Sequence, residues 1–182
     1  YPTLDPTNNA YYVLEGKILK DALLAKDKTL KLEKAKQFVA VRSYRQSLLD
    51  TALVSYENLN EYNEGVARYI EYKFLQQAAL FQPSIEMFYT NGFKGYGEIT
   101  NKLFIDKIDK MTEFVAVSNN AFQNKFGTGP LRYKLYYLGA CLSLLLDDLN
   151  PNWKQAIFKK NVFLGTELKA IVALAPKQQS DY

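Results

Sequence analysis

Glu57, Glu61, Glu64, Arg68 and Glu71 fall within roughly 80° of one another when residues 56–72 are wound as a helix at about 100° per residue. Four carboxylates and one guanidinium then share one line, with Leu59, Val66 and Ile70 opposite. Left in water, such a line makes i,i+4 pairs such as Glu64 with Arg68, each contributing about 0.2–0.5 kcal/mol. Turned inward, it needs cations beside it and becomes a polar network of the kind a cation or substrate site requires. Spacing alone favours the solvent-facing stripe, but three features point inward. Lysine is the cation almost everywhere else, yet this stripe uses arginine, and Arg42 and Arg45 stand i,i+3 on the preceding segment, able to grip carboxylates bidentately. Gly65 directly follows Glu64 and lets a neighbouring element approach the backbone there. Asn58, Asn60 and Asn63 add donors.

The rest of the composition narrows the chemistry. The 182 residues include no histidine, which excludes a Ser-His-Asp or Cys-His centre and a His-based zinc site made from this chain alone. Cys141 is the single cysteine and lies in the apolar run Tyr136–Leu142, so it reads as an inert core thiol; without a second cysteine there is no intrachain disulfide, and the compartment stays open. The net charge of +4 comes mostly from lysines interleaved with acids, as at Lys17, Lys20, Asp21, Lys26, Asp27, Lys28, Lys31, Glu33, Lys34 and Lys36, so nucleic acid is not an expected partner. The longest uncharged run, residues 135–146, is too short for the roughly 20 residues that span a bilayer, so no transmembrane segment is expected.

The elements that must position the stripe read as helices, giving an all-α fold class with a single domain of about seven helices over residues 1–182. Residues 8–25 place Tyr11, Leu14, Ile18, Leu19, Ala22 and Leu23 at helical spacing. Asp27 or Thr29 caps a second helix bearing Leu32, Ala35, Phe38, Val39, Arg42 and Arg45, and Asp50 or Thr51 opens a third that runs without proline to about residue 79. Gly65 inside that helix costs about 1 kcal/mol relative to alanine and asks for a packing or functional reason. These three helices form a first portion, residues 1–80. Residues 81–100 form an aromatic, glycine-rich loop with Phe88, Tyr89, Phe93 and Tyr96, expected to fold back on the body. The remaining helices fill residues 101–182. Thr100 starts a fourth with Leu103, Phe104, Ile108, Met111 and Val115 on one face; a loop at 118–129 feeds Pro130 into the next, the most apolar; a short one holds Trp153; and Thr166 starts the last.

The segment Asn63-Glu64-Gly65-Val66-Ala67-Arg68-Tyr69-Ile70-Glu71-Tyr72 resembles the NEGxAxYxEY segment of gluzincin-type zinc metallopeptidases, and Tyr136-Tyr137-Leu138-Gly139-Ala140 is similar to their YxxGA stretch. Leu14-Glu15-Gly16, Phe38 to Arg42 with Arg45, and Glu57, Glu61 and Glu64 also resemble a run found in gluzincin-like bacterial proteins. The resemblance implies the C-terminal helical part of such a peptidase. It makes Glu64 the third metal ligand and Tyr136 or Tyr137 the donor to the tetrahedral intermediate, with Glu57, Glu61, Asn63, Arg42, Arg45 and Arg68 supporting them. It implies zinc as cofactor only if an HExxH motif lies upstream, and a peptide or protein as substrate. At the aminopeptidase spacing HExxH would fall on Val41-Arg42-Ser43-Tyr44-Arg45, and arginine does not ligate zinc, so this chain holds no complete metal site. The chain begins with Tyr1 rather than Met, and an upstream segment of the same protein is expected.

Two functions of different classes follow, a portion of a zinc peptidase-like protein that supplies Glu64, and a metal-free helical binding module in which Arg42 and Arg45 neutralise Glu57, Glu61 and Glu64. A third is an adaptor whose loop from Phe88 to Tyr96 docks a peptide.

Overall fold

Each early helix starts where the sequence places an aspartate to satisfy its free N–H groups. The computed structural model describes residues 2, 4–78, 80–96, 111, 112, 115, 128–159 and 162–174; their regular elements are helices, with no strand among them. Helix α1, Pro6–Leu24, is capped by Asp5, whose Oδ1 accepts from the N–H groups of Thr7 at 2.8 Å and Asn8 at 3.1 Å, with proline at the first helical position. Helix α2, Lys28–Ser47, is capped by Asp27, which accepts from the Leu30 N–H at 2.8 Å. Helix α3, Thr51–Asn60, is capped by Asp50, which accepts from the Ala52 N–H at 2.8 Å.

The expected third helix is continuous but not uniform. After α3 comes one π-helical turn, Glu61–Gly65, then α4, Val66–Ala78. Beyond it a short 3₁₀ turn, Ile85–Tyr89, leads into a bend where Gly92 and Gly95 take φ of 83° and 104°, the left-handed region that favours glycine. The aromatics of this loop pack on one another: Phe93 meets Phe88 at 5.5 Å and Tyr96 at 5.6 Å, both edge-on, and the Tyr96 hydroxyl donates to Met87 Sδ. Phe88 and Tyr89 remain exposed.

Helix α5, Thr128–Leu149, takes Pro130 into its first turn as expected. It is followed by the short α6, Trp153–Ile157, and by α7, Leu164–Leu174. The fourth helix expected from Thr100, and the loop before Thr128, lie outside the described residues except for Met111, Thr112 and Val115, which are helical and buried.

The core gathers on α5. Leu135, Leu138, Ala140, Cys141, Leu142, Leu145 and Leu146 are fully buried, against α1, α4, the π-turn and α7. Each buried leucine contributes about 1.5–3 kcal/mol, so this helix anchors the packing. Burial pushes the Cys141 thiol up to about 12, which keeps it protonated and unreactive at neutral pH. At the far end of α5, Asp147 draws three elements together: it accepts from the Tyr69 hydroxyl at 2.8 Å and the Trp153 indole at 3.0 Å, and pairs with Lys154.

Candidate functional site

The π-turn decides which members of the stripe enter the core. Glu57, Glu61, Gly65 and Tyr69 are all buried, at a constant spacing of four. In a regular α-helix that spacing drifts by about 120° over the three steps. The π-turn, with its i→i+5 pattern, holds one residue more and absorbs the drift. Glu64 and Arg68 are thereby rotated off the buried line: Glu64 is exposed, and Arg68 pairs at the surface with Glu71 at 2.9 Å. The expected single line is thus split. Glu57 and Glu61 obey the inward reading; Glu64, Arg68 and Glu71 obey the solvated one. The expected apolar side is corrected too, since Leu59 and Ile70 are exposed while Glu57 and Glu61 lie inside.

Two glycines fix this arrangement. A Cβ on Gly65 would stand 2.5 Å from Gly139 Cα, and a Cβ on Gly139 would stand 2.9 Å from Glu61 Cα. Backbone meets backbone here, which supplies the packing reason that Gly65 demanded. The same contact seats the Glu61 turn directly on α5.

Inside, Arg45 is fully buried and lies between two fully buried carboxylates. Its Nη1 and Nη2 donate to Glu57 Oε1 and Oε2 at 2.7 and 2.8 Å, and its Nε donates to Glu15 Oε1 at 2.5 Å. Nη1 also reaches Asn8 Oδ1 at 3.2 Å. The Arg45 guanidinium lies over the Tyr12 ring at 4.7 Å, with the buried Lys134 ammonium 4.3 Å from the same ring. Arg42 Nη2 donates to both Glu61 oxygens, at 2.5 and 2.6 Å. Three buried carboxylates therefore face two guanidinium groups and one ammonium, brought together from α1, α2, α3, the π-turn and α5.

The charges in this cluster are strongly coupled. Burial disfavours both charged guanidiniums, but the carboxylates beside them more than offset it, and both stay firmly protonated. Burial pushes the Glu61 carboxyl up to about 7, against the pull of Arg42 and with help from Glu57 and Glu15; Glu15 is raised for the same first reason. Burial also lowers Lys134 to about 8. With the Glu61 carboxyl pKa raised on folding, the folded state binds more protons than the unfolded chain between its ordinary value of 4.5 and about 7. Its contribution is therefore full below that window and lost as pH rises through it. Chemical denaturation from pH 4.5 to 8 is expected to show stability falling across the window, and Glu61→Gln, which imitates the neutral acid, is expected to flatten the fall; an unchanged profile in the variant would refute the assignment to Glu61.

Of the residues expected to form a site, the structure brings Arg42, Arg45, Glu57 and Glu61 together, and it adds Glu15, Asn8 and Lys134, which spacing did not single out as part of the network. A signal for Glu15 was present. Asn8, Tyr12, Glu15, Leu19 and Ala22 recur at helical spacing and form the buried face of α1, whereas Leu14, placed on the apolar face by the sequence, is exposed. Asn63 is exposed beside Glu64. Tyr137 is half-buried with its ring 5.8 Å from the Arg68 guanidinium, while Tyr136 turns its ring toward Arg132, also at 5.8 Å. Arg68 thus links the neighbourhood of Glu64 to Tyr137 rather than to Tyr136.

No group of three His, Cys, Asp or Glu side chains among the described residues is placed to hold a metal, and Glu64 alone is not a site. The buried carboxylates of Glu15, Glu57 and Glu61 are paired with arginine. What fold and site define together is an all-α protein organised around a buried glutamate–arginine network. Comparison with known proteins finds no family model that matches the chain, and no curated protein or solved structure that matches it significantly.

Proposed function

We propose that this chain is a metal-free helical binding module in which the glutamate–arginine cluster is structural. The observation that carries this reading is the engagement of Arg42 and Arg45 by the buried carboxylates of Glu61, Glu57 and Glu15, which pairs the buried charges with one another. The surface for a partner is then the outer side of the same helix. Ile70 and Phe74, at i,i+4 on α4, are 58% and 59% exposed, and an exposed apolar pair on a regular helix suits a protein partner. The test compares Ile70→Ser/Phe74→Ser with the parent chain. Retained melting temperature with lost capture of the parent's interaction partners is expected; unfolding of the double variant would assign both residues to the core and overturn the reading.

The second reading keeps the gluzincin resemblance. Its support is the exposed Glu64, on the widened turn and turned away from the buried cluster, where a ligand-bearing segment from outside the described residues could meet it. Metal analysis of the full-length gene product decides between the two. Stoichiometric zinc lost on Glu64→Ala establishes the peptidase-like reading, and zinc-free protein supports the module.

A further inference from the structure

A second polar feature lies on the outer side of Arg42. This side chain is 4% exposed, its Nη2 is used by Glu61, and its Nη1 has no hydrogen-bond partner. Buried donors left in that state call for an acceptor. Arg42 also lines a cavity of about 120 Å³ between α2, α3 and α7, together with Ser43, Gln46, Asn58, Thr166 and Lys169. Each of these side chains carries a donor group, of which the Thr166 hydroxyl already donates to the Phe163 carbonyl at 2.7 Å and Gln46 Nε2 to Glu57 Oε2 at 3.2 Å, and no residue lining the cavity is acidic. The first turn of α7 contributes Gly165 and Thr166 to the wall, and N–H groups in a first helical turn have no acceptor within their own helix. A Cβ on Gly165 would stand 3.5 Å from Arg42 Nε, so the guanidinium packs directly on this helix N-terminus. Two positive ends meet there, and Lys169, one turn further along α7, brings a third. The carboxylates that balance the guanidinium, Glu61 in direct contact with Glu15 and Glu57 further off, do not line the cavity.

We propose that this cavity binds a phosphate group. Donors converging from α2, α3 and α7 suit a tetrahedral oxyanion with acceptor oxygens in several directions, and the space admits a group of that size. The inference is independent of the partner surface on α4 and of any metal at Glu64.

The test is calorimetric titration of the whole chain with inorganic phosphate, phenyl phosphate and acetate, at constant ionic strength set with chloride. The expected result is saturable one-to-one binding of phosphate with a Kd at or below about 1 mM. Lys169→Gln, an exposed change that leaves the Arg42–Glu61 pair intact, is expected to weaken it about tenfold. Lys154→Gln makes the same change in net charge away from the cavity and is expected to leave the affinity unchanged. Tighter binding of phenyl phosphate identifies a phosphate carried on a larger molecule, and equal or weaker binding identifies the free ion; both support the site. Absence of saturable binding up to about 20 mM, equal binding of acetate, or equal weakening by the two lysine variants overturns it.

Discussion

Replacing Arg45 with methionine is expected to destabilise the fold by about 3–5 kcal/mol, because it leaves Glu15 and Glu57 as uncompensated charges in the core. The loss exceeds what the contact distances imply. Each carboxylate would keep its desolvation cost and lose its partner, and Asn8 would lose the donor that its Oδ1 accepts from. For a chain of 182 residues such a change lowers the melting temperature by roughly 10–15 °C. Arg45→Lys is expected to recover little, since an ammonium has no planar fork and cannot serve two carboxylates along two edges. The triple variant Arg45→Met/Glu15→Leu/Glu57→Met is expected to regain most of the stability, because it removes the buried charges together with their partner. Thermal and urea denaturation of the three proteins would decide. A triple variant no more stable than the single one would show that the network contributes net stability rather than only a penalty for being broken.

Adding one methyl group at the helix crossing is expected to cost nearly as much. Gly65→Ala places its Cβ against the Gly139 backbone, and Gly139→Ala places its own against Glu61, so neither clash can be relieved by a side-chain rotation. Overpacking of this kind costs about 1–3 kcal/mol, and the upper part of that range is expected at both positions, although alanine is the better helix former. The partial gain from helix propensity, about 1 kcal/mol, does not offset a backbone clash. Because both substitutions push apart the same two helices, the double variant is expected to lose less than the sum of the single losses. Moving α5 off the π-turn also shifts Glu61 relative to Arg42, so the pH dependence assigned to Glu61 is expected to change in both glycine variants. A melting temperature unaltered in Gly65→Ala would refute the close approach.

These two sites also mark where a linear reading of the chain succeeds and where it stops. The caps at Asp5, Asp27 and Asp50, the apolar run of α5 and the inert setting of Cys141 are local properties, set by residue type and near neighbours, and each appears as the residues indicate. The buried face of α2, carrying Ala35, Phe38, Arg42 and Arg45, was legible for the same reason, since a helix imposes one period. The inward placement of arginine was legible as well, from its contrast with the lysine-rich surface.

The division of the stripe was not. A uniform helix assigns Glu57, Glu61, Glu64 and Arg68 to one side, and only the π-turn separates the first two from the others. That turn lies where Gly65 meets Gly139, more than seventy positions away in the sequence, and this contact is not written in the segment that carries the turn. The same holds for Glu15. A carboxylate on the buried face of α1 is a flaw in an isolated helix and becomes a ligand for Arg45 only when α1, α2 and α3 are assembled. The sequence by itself determined the helices, their caps and the charges available to the core, because these follow from local periodicity and composition. Tertiary structure alone decided which charges met, which were sealed in and which stayed in water, because burial and pairing belong to contacts between helices.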